Sequence, residues 1–209
     1  VEPKSKWAVI GTNGAGKSTL LKAITGELPY EGRIVIGTTQ TVGYLQQTAV
    51  AGSTRTVFEE AASAMKEIAR AREALQRAQE LVANSSSDKE PSPQHLQALD
   101  RAMQNFEMVG GYQQEQEVAS MLKGLGFQNL TQRCDELSGG WQMRVSFAKT
   151  LLSKPSLCIL DEPGNHLDRS AREWLAHYLK NYEGGAMILV THDMELLQAM
   201  QNIAEVNME

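Results

Sequence analysis

The stretch Gly11-Thr-Asn-Gly-Ala-Gly-Lys-Ser-Thr19 fits the pattern G-x-x-x-x-G-K-[ST], with Gly11, Gly16, Lys17 and Ser18 in the fixed places. Its glycines let the backbone fold tightly enough for N–H groups to converge on phosphate oxygens. A helix that starts at the loop adds the positive end of its dipole. Lys17 brings a mobile positive charge suited to β- and γ-phosphates, and the Ser18 hydroxyl is placed to reach a magnesium ion. Two other groups able to work on a phosphoryl group stand far along the chain. They are the acidic pair Asp161-Glu162 and the imidazole of His192, each directly after an apolar run.

The elements that must position these residues are legible in outline. Trp7-Ala-Val-Ile10 reads as a buried strand and Lys17 to Thr25 as the helix after the phosphate loop, stopped by Gly26. Arg33-Ile-Val-Ile36 and Thr41-Val-Gly-Tyr-Leu45 read as short strands, punctuated by Gly32 and Gly37. Leu157-Cys-Ile-Leu160 and Ala186-Met-Ile-Leu-Val190 are buried strands, with helices expected over Trp141 to Leu152, Arg169 to Tyr182 and Met194 to Met200. A last strand is expected near Ile203 to Val206. Strands alternating with helices indicate an α/β layer with a mainly parallel sheet. In such sheets ligands collect at the carboxyl ends of strands. The phosphate loop, Asp161-Glu162 and His192 all fall there.

Between the two halves of this layer the period changes. Thr56-Val-Phe-Glu59 has the form of a capping box. From Phe58 an apolar stripe through Ala61, Met65, Ile68, Leu75 and Val82 predicts one long helix to about Ala83, about 40 Å at ~1.5 Å per residue. A polar stretch from Asn84 to Pro93 follows, with Ser92 and Pro93 as N-cap and first-turn residue of the next helix. That helix carries Leu96, Leu99, Met103 and Phe106 and ends at Gly110-Gly111. The two helices read as a projecting antiparallel hairpin, since the stripe is narrow and its flanks are charged. A further helix is expected from Glu115 to Leu125, stopped by Gly126.

Composition sets bounds. The chain has 209 residues and a net charge of −5, so any nucleic-acid contact must use a local patch rather than a basic field. Two cysteines, Cys134 and Cys158, lack metal-binding spacing and suit a reducing compartment. No apolar run approaches the roughly 18 residues of a membrane span. The hairpin bases Lys66, Arg70, Arg72, Arg77 and Arg101 are interleaved with more acids, the pattern of a solvated face. His95 and His177 have no functional reading, and Trp141 reads as core packing.

Four further stretches complete a pattern. Leu137-Ser-Gly-Gly-Trp-Gln142 resembles the ABC signature, and Leu157-Cys-Ile-Leu-Asp-Glu162 resembles a Walker B strand. Pro163-Gly-Asn-His-Leu-Asp168 and Val190-Thr-His-Asp193 resemble the D-loop and the switch histidine. With the phosphate loop and Gln47 they resemble an ABC-type ATPase cassette from about Lys6 onward. Glu162-Pro-x-Asn-His-Leu-Asp168 and Leu137-Ser-Gly-Gly-Trp-Gln-Met-Arg144 are similar to the ABC-F family, soluble twin-cassette ATPases of which many act on ribosomes. Gly110-Gly-Tyr112 and Trp174-Leu-x-x-Tyr-Leu179 resemble that family's first cassette. The hairpin lies where the family carries its arm insertion.

The resemblance implies a P-loop NTPase fold of the ABC nucleotide-binding type. An α/β core is expected over 1–48 and 154–209, and a helical subdomain over 49–153 with the hairpin at 56–109. It implies ATP and Mg²⁺ as ligands. Gly11, Asn13 and the backbone from Gly14 through Ala15, Gly16, Lys17 and Ser18 to Thr19 would hold phosphates. Ser18, Asp161 and Gln47 would serve the metal, with Gln46 the alternative to Gln47. Glu162 would be the general base or water-orienting group, His192 would contact the γ-phosphate, and Gln47 would reach the attacking water. Ser138, Gly139, Gly140 and Asp168 would act across a head-to-tail interface on the ATP of a second cassette, so the site is expected to need that partner.

The family's usual Thr is Gly164 here, and its usual Ser before the switch histidine is Thr191. The family's first strands, with their adenine-stacking aromatic, its linker and its second cassette are expected to belong to a longer protein. The expected function is ATP hydrolysis that drives cassette closure on ribosomes or rRNA. The expected location is the cytoplasm, or an organelle stroma or matrix, without insertion into a membrane. The alternatives are the ATP-hydrolysing subunit of a membrane transporter and a non-hydrolysing ATP-dependent scaffold.

Overall fold

A computed structural model describes residues 2–45, 52–84 and 92–207. The apolar runs become β1 (Lys6–Ile10), β2 (Val42–Tyr44), β3 (Leu157–Asp161), β4 (Ala186–Val190) and β5 (Asn202–Glu205). They lie in the order β2-β3-β4-β1-β5, with every pairing parallel. Central β4 is buried along its whole length, which is why its sequence is a continuous apolar run rather than an alternation.

The two-residue period of the strands divides the core between the faces of the sheet. Val9, Ile159, Ile188 and Val190 point to one face and pack with Leu21 of α1 (Lys17–Ile24). Cys158, Leu160, Met187 and Leu189 point to the other. They join a larger core with α2 (Val57–Ala62), α5 (Gly111–Gly124), α6 (Gly139–Leu152) and α7 (Arg169–Lys180). Both thiols are buried and unbridged, and burial pushes Cys134 up to about 11 and Cys158 up to about 12.

Two expectations fail. Arg33–Ile36 is not a strand. Ile34, Val35 and Ile36 are β-branched, but among the described residues no strand pairs with the segment, and Val35 remains 72% exposed. A strand without a ladder partner gains nothing from its propensity. The single long helix from Thr56 is also broken, into α2 and α3 (Lys66–Asn84). Between them Ala64 and Met65 donate to Ala61 and Ala62, three residues back rather than four, and the Ser63 hydroxyl donates to the Glu60 carbonyl at 2.6 Å. That local bonding competes with the helical ladder. It lets α2 lie in the core while α3 turns away from it.

The Thr56 capping box forms as expected: Thr56 Oγ1 accepts from Glu59 N–H at 3.2 Å, and the Glu59 carboxylate accepts from Thr56 N–H at 2.9 Å. Ser92 caps α4 (Pro93–Met108) by accepting from His95 N–H. Helices α3 and α4 pack together, with Ile68, Ala71 and Phe106 buried near the foot of the pair. Farther out Leu81 and Leu96 are each 49% exposed. Gly110, at φ 72°, turns the chain into α5. A Cβ on Gly111 would lie 2.5 Å from the Phe106 ring, and Tyr112 meets that ring edge-on at 5.0 Å. Gly110-Gly-Tyr112 is thus the packing joint of the hairpin. α8 (Met194–Leu197) packs against α7 and precedes β5.

Candidate functional site

Because β4 lies between β3 and β1, the three loops leaving their carboxyl ends are neighbours. Val190 pairs with Asp161 on one side and with Val9 on the other. The phosphate loop, Asp161-Glu162 and Thr191-His192 therefore meet at one edge of the sheet, as their positions in the sequence require.

The loop's backbone is shaped by glycine. Gly11 sits at φ 154°, and a Cβ there would lie 2.3 Å from the Val206 carbonyl oxygen. Gly16, at φ 89°, is the N-cap of α1 and gives that helix no side-chain cap. The first-turn N–H groups of α1 are left for a ligand, with the helix dipole behind them. Lys17 is buried, and its ammonium donates to the carbonyls of Gly11 at 2.8 Å and Thr12 at 2.9 Å. It thus spans the loop from inside and holds its charge beside the cradle.

Ser18, Tyr44, Arg144, Asp161 and Glu162 line a cavity of about 660 Å³ on one side of this edge. Asn13, Glu162, Thr191, His192 and Asp193 line a second, of about 650 Å³. Glu162 is common to both. It adopts the left-handed conformation at φ 48°, unusual for a residue with a side chain, and its N–H donates to Val190 O at 2.9 Å. Its Oε1 lies 3.4 Å from His192 Nε2. The strained turn places a carboxylate at the mouth of both cavities, within reach of the imidazole.

His192 is held by a turn of its own. Thr191, 1% exposed, accepts from Asp193 N–H at 3.1 Å through its hydroxyl, and Asp193 caps α8 by accepting from Glu195 N–H at 2.8 Å. The hydroxyl that the family's Ser would supply is therefore kept. Tyr44, facing the first cavity, has its phenol pushed upward by burial and by the neighbouring Asp161 and Glu27 carboxylates.

The signature residues are elsewhere. Ser138, Gly139 and Gly140 are exposed at the start of α6 and line neither cavity. Ser138 makes no capping bond, and a Cβ on either glycine would meet nothing within 4 Å. Within this chain nothing sterically demands glycine at these positions. Asp168 caps α7 by accepting from Ala171 N–H at 2.9 Å, and lies 3.5 Å from Arg144. The Ala171 N–H, aided by Arg144 and opposed by slight burial, holds its carboxyl below the usual range. Gln46 and Gln47 lie outside the described residues.

Three residues named in the motifs but given no role prove to be braces. Gln142 donates from its side-chain amide to the carbonyls of Cys134 at 3.2 Å and Leu137 at 3.1 Å, fixing the approach to the signature. Arg144 lies over the Trp141 ring at 4.3 Å and donates to Leu125 O at 2.8 Å. Trp141 packs on Phe127, in keeping with its expected core role. Trp174 packs on Gly124, where a Cβ would overlap its indole at 2.0 Å, and stacks on Tyr178 at 5.3 Å. Only the position of Gln142 and Arg144 inside the signature hinted at such roles.

A glycine-cradled anion site, a hydroxyl and a carboxylate facing one cavity, and a carboxylate–imidazole pair at its rim define a P-loop nucleotide-binding domain. The family model described as "ABC transporter" matches residues 1–165, and the chain belongs to that family of ATP-binding cassettes. It is 39% identical over 205 residues to the ATP-binding protein YdiF of Bacillus subtilis, covering 97% of this chain and 32% of YdiF. It is 32% identical over 204 residues to the energy-dependent translational throttle protein EttA of Mycobacterium tuberculosis, covering 97% of this chain and 35% of EttA. It is 33% identical over 213 residues to ABC transporter F family member 5 of Arabidopsis thaliana, covering 100% of this chain and 31% of that protein, in line with the ABC-F resemblance of the motifs. The chain thus spans about a third of the length of these relatives. Among solved structures, the dimeric cassette MJ0796 bound to ADP and Pi shares the fold, with a TM-score of 0.58 at 20% identity over 99% of this chain and 84% of that one. No helix among the described residues is long and apolar enough to cross a membrane.

Proposed function

We propose that this chain is one cassette of an ABC-F-type ATPase, hydrolysing ATP in sites shared with a second cassette and acting, through closure, on the ribosome. The observation that carries the composite site is the open amino terminus of α6. Ser138, Gly139 and Gly140 form an exposed helix start with free space in front of them, apart from the chain's own phosphate loop. A helix amino terminus with glycine amides is an anion site. Here it faces outward, toward an ATP held by a partner. MJ0796 is a cassette of this fold that forms a dimer. The translational reading is supported by the likeness to EttA, a translational throttle protein, and by the ABC-F resemblance of the motifs.

In this reading Gly11, Asn13 and the backbone of Gly14 to Thr19 bind the phosphates of ATP, and Lys17 neutralises their charge. The oxygen donors Ser18 and Asp161 face one cavity and suit Mg²⁺, which takes few protein ligands beside substrate phosphates. Consistent with that sparse ligation, no cluster of three or more His, Cys, Asp or Glu side chains among the described residues is arranged for a metal. Bound there, the ion would offset the charge of the leaving phosphates. Glu162 takes up or orients the proton of the attacking water, and His192 holds the γ-phosphate end of the site. Gln47 is assigned to the water and the metal by its place in the motif order. Catalysis is then positioning and charge stabilisation of an in-line displacement. The core comprises 1–48 and 154–209, with the helical subdomain at 49–153, and the protein works in the cytoplasm.

The test uses the complete protein that contains this cassette. Glu162→Gln keeps the size of the side chain but removes the base, so ATP should stay bound and the closed form accumulate. The expected outcome is ATP-dependent co-sedimentation of this variant with ribosomes. Absence of ribosome association in ATP, with nucleotide binding intact, overturns the translational assignment.

A further inference from the structure

Glu60 is an acid where an amphipathic helix should not have one. It lies on the inner face of α2, 5% exposed, and lines neither cavity of the nucleotide site. Its carboxylate is fully engaged. Lys149 of α6 pairs with Oε1, Ser53 donates to Oε2 at 2.8 Å, and Arg55 stands 3.9 Å away. Burial alone would push this carboxyl up; the Lys149 and Ser53 hydrogen bonds outweigh it and hold the group below its usual range. It is therefore a buried anion paired with a cation on another helix. Buried ion pairs contribute little net stability compared with apolar packing, and in some proteins they fix one arrangement of the elements they join.

We infer that Glu60 and Lys149 are positioning residues for the signature helix, joining α6 to the helix that carries the hairpin. The inference rests on the proposed role of Ser138 to Gly140 toward a partner's ATP. A second connection runs parallel to the ion pair. Val57 and Phe58 donate backbone N–H groups to Gln132 O at 2.9 Å and Leu130 O at 3.0 Å. Cys134 donates to Arg55 O at 2.9 Å, and Thr56 bridges Arg133. This short ladder ends at the loop that Gln142 braces just before the signature. Between the two connections Val57 and Ala61 share a core with Val145 and Ala148 of α6.

Helix α2 thus grips α6 near its carboxyl end through Lys149, and grips the strap leading into its amino end through residues 130–134. The other end of α2 passes through the Ser63–Met65 break into α3, the first helix of the hairpin. A displacement of the hairpin is therefore passed to α6 through α2 and its two connections. Removing one partner of the ion pair leaves the phosphate loop intact and frees the carboxyl end of α6, so that the helix can tilt and carry Ser138 to Gly140 with it.

Steady-state ATP hydrolysis by the complete protein tests this, with Glu60→Gln, Lys149→Met, the double variant and Lys149→Arg, and with Gly139→Asp as reference. Each single loss should lower kcat about tenfold while KM and fluorescent-ATP affinity move less than about twofold. The double variant should lose no more than either single variant, because one interaction is removed in all three. Lys149→Arg should restore most of the rate. A merely structural role would lower the melting temperature and leave kcat of the folded protein unchanged, which overturns the inference, as do additive losses. Should Glu60→Gln fail to fold, Lys149→Met carries the test, since that side chain is 27% exposed. If Gly139→Asp abolishes turnover while the ion-pair variants keep it, only the positioning role falls. If Gly139→Asp itself leaves kcat unchanged, the composite-site reading falls with it.

Discussion

Lys17 shows how much a single side chain settles in this site. Its ammonium is held by the Gly11 and Thr12 carbonyls, so the loop is shaped and charged by one group. Lys17→Met keeps the bulk of the stem and removes two charge-assisted hydrogen bonds. The expected result is a loss of fluorescent-ATP affinity of about 30-fold, near the ~2 kcal/mol of a hydrogen bond to a charged group. An unchanged affinity would show that the loop does not use its lysine. Residues of this kind were legible in the sequence: Gly11, Asp161, Glu162 and His192 stand just past apolar runs that become strands, and Lys17 holds its fixed place in the glycine-rich pattern. Glu60 was not legible. In the sequence it reads as one more acid near a helix start, and its partner Lys149 is 89 residues away.

Helices and strands were readable where local and global preferences agree. β3 and β4 are buried on both faces, so their apolar runs have only one use. Ile34 to Ile36 is also apolar, but among the described residues no strand pairs with it, and propensity alone did not make it a strand. The break at Ser63–Met65 was hidden for the converse reason. Ala-rich sequence is helical by habit, and only the docking of α2 on α6 decides where it stops. The Thr56–Glu59 box at the start of α2 is testable by pH. The Thr56 backbone N–H, then its hydroxyl, hold the Glu59 carboxyl below its usual 4.5, against a small opposing effect of burial. A depressed folded value means the stabilisation is present above 4.5 and is lost as the pH falls through the folded value. Denaturant midpoints of Glu59→Gln should lie below the parent at neutral pH, and the gap should close in acid. Thr56→Ala should cost about 1 kcal/mol at neutral pH.

For the whole molecule, the proposed shared site makes activity a property of pairs, because Ser138 to Gly140 line neither cavity beside the chain's own phosphate loop. This chain alone should bind ATP and turn it over slowly, with specific activity rising with protein concentration until dimers saturate. Rapid turnover independent of concentration, with the chain monomeric by light scattering, would contradict the shared site. The strand order carries a further consequence, for the order of events during synthesis. β1 is made before both of its neighbours in the sheet, β4 and β5, residues 186–190 and 202–205. Until those two segments leave the ribosome, β1 lacks the parallel partners it has in the folded sheet. Contacts between chain segments so distant form slowly. The ladder around the strand that ends in the phosphate loop is therefore completed only after β5 is made.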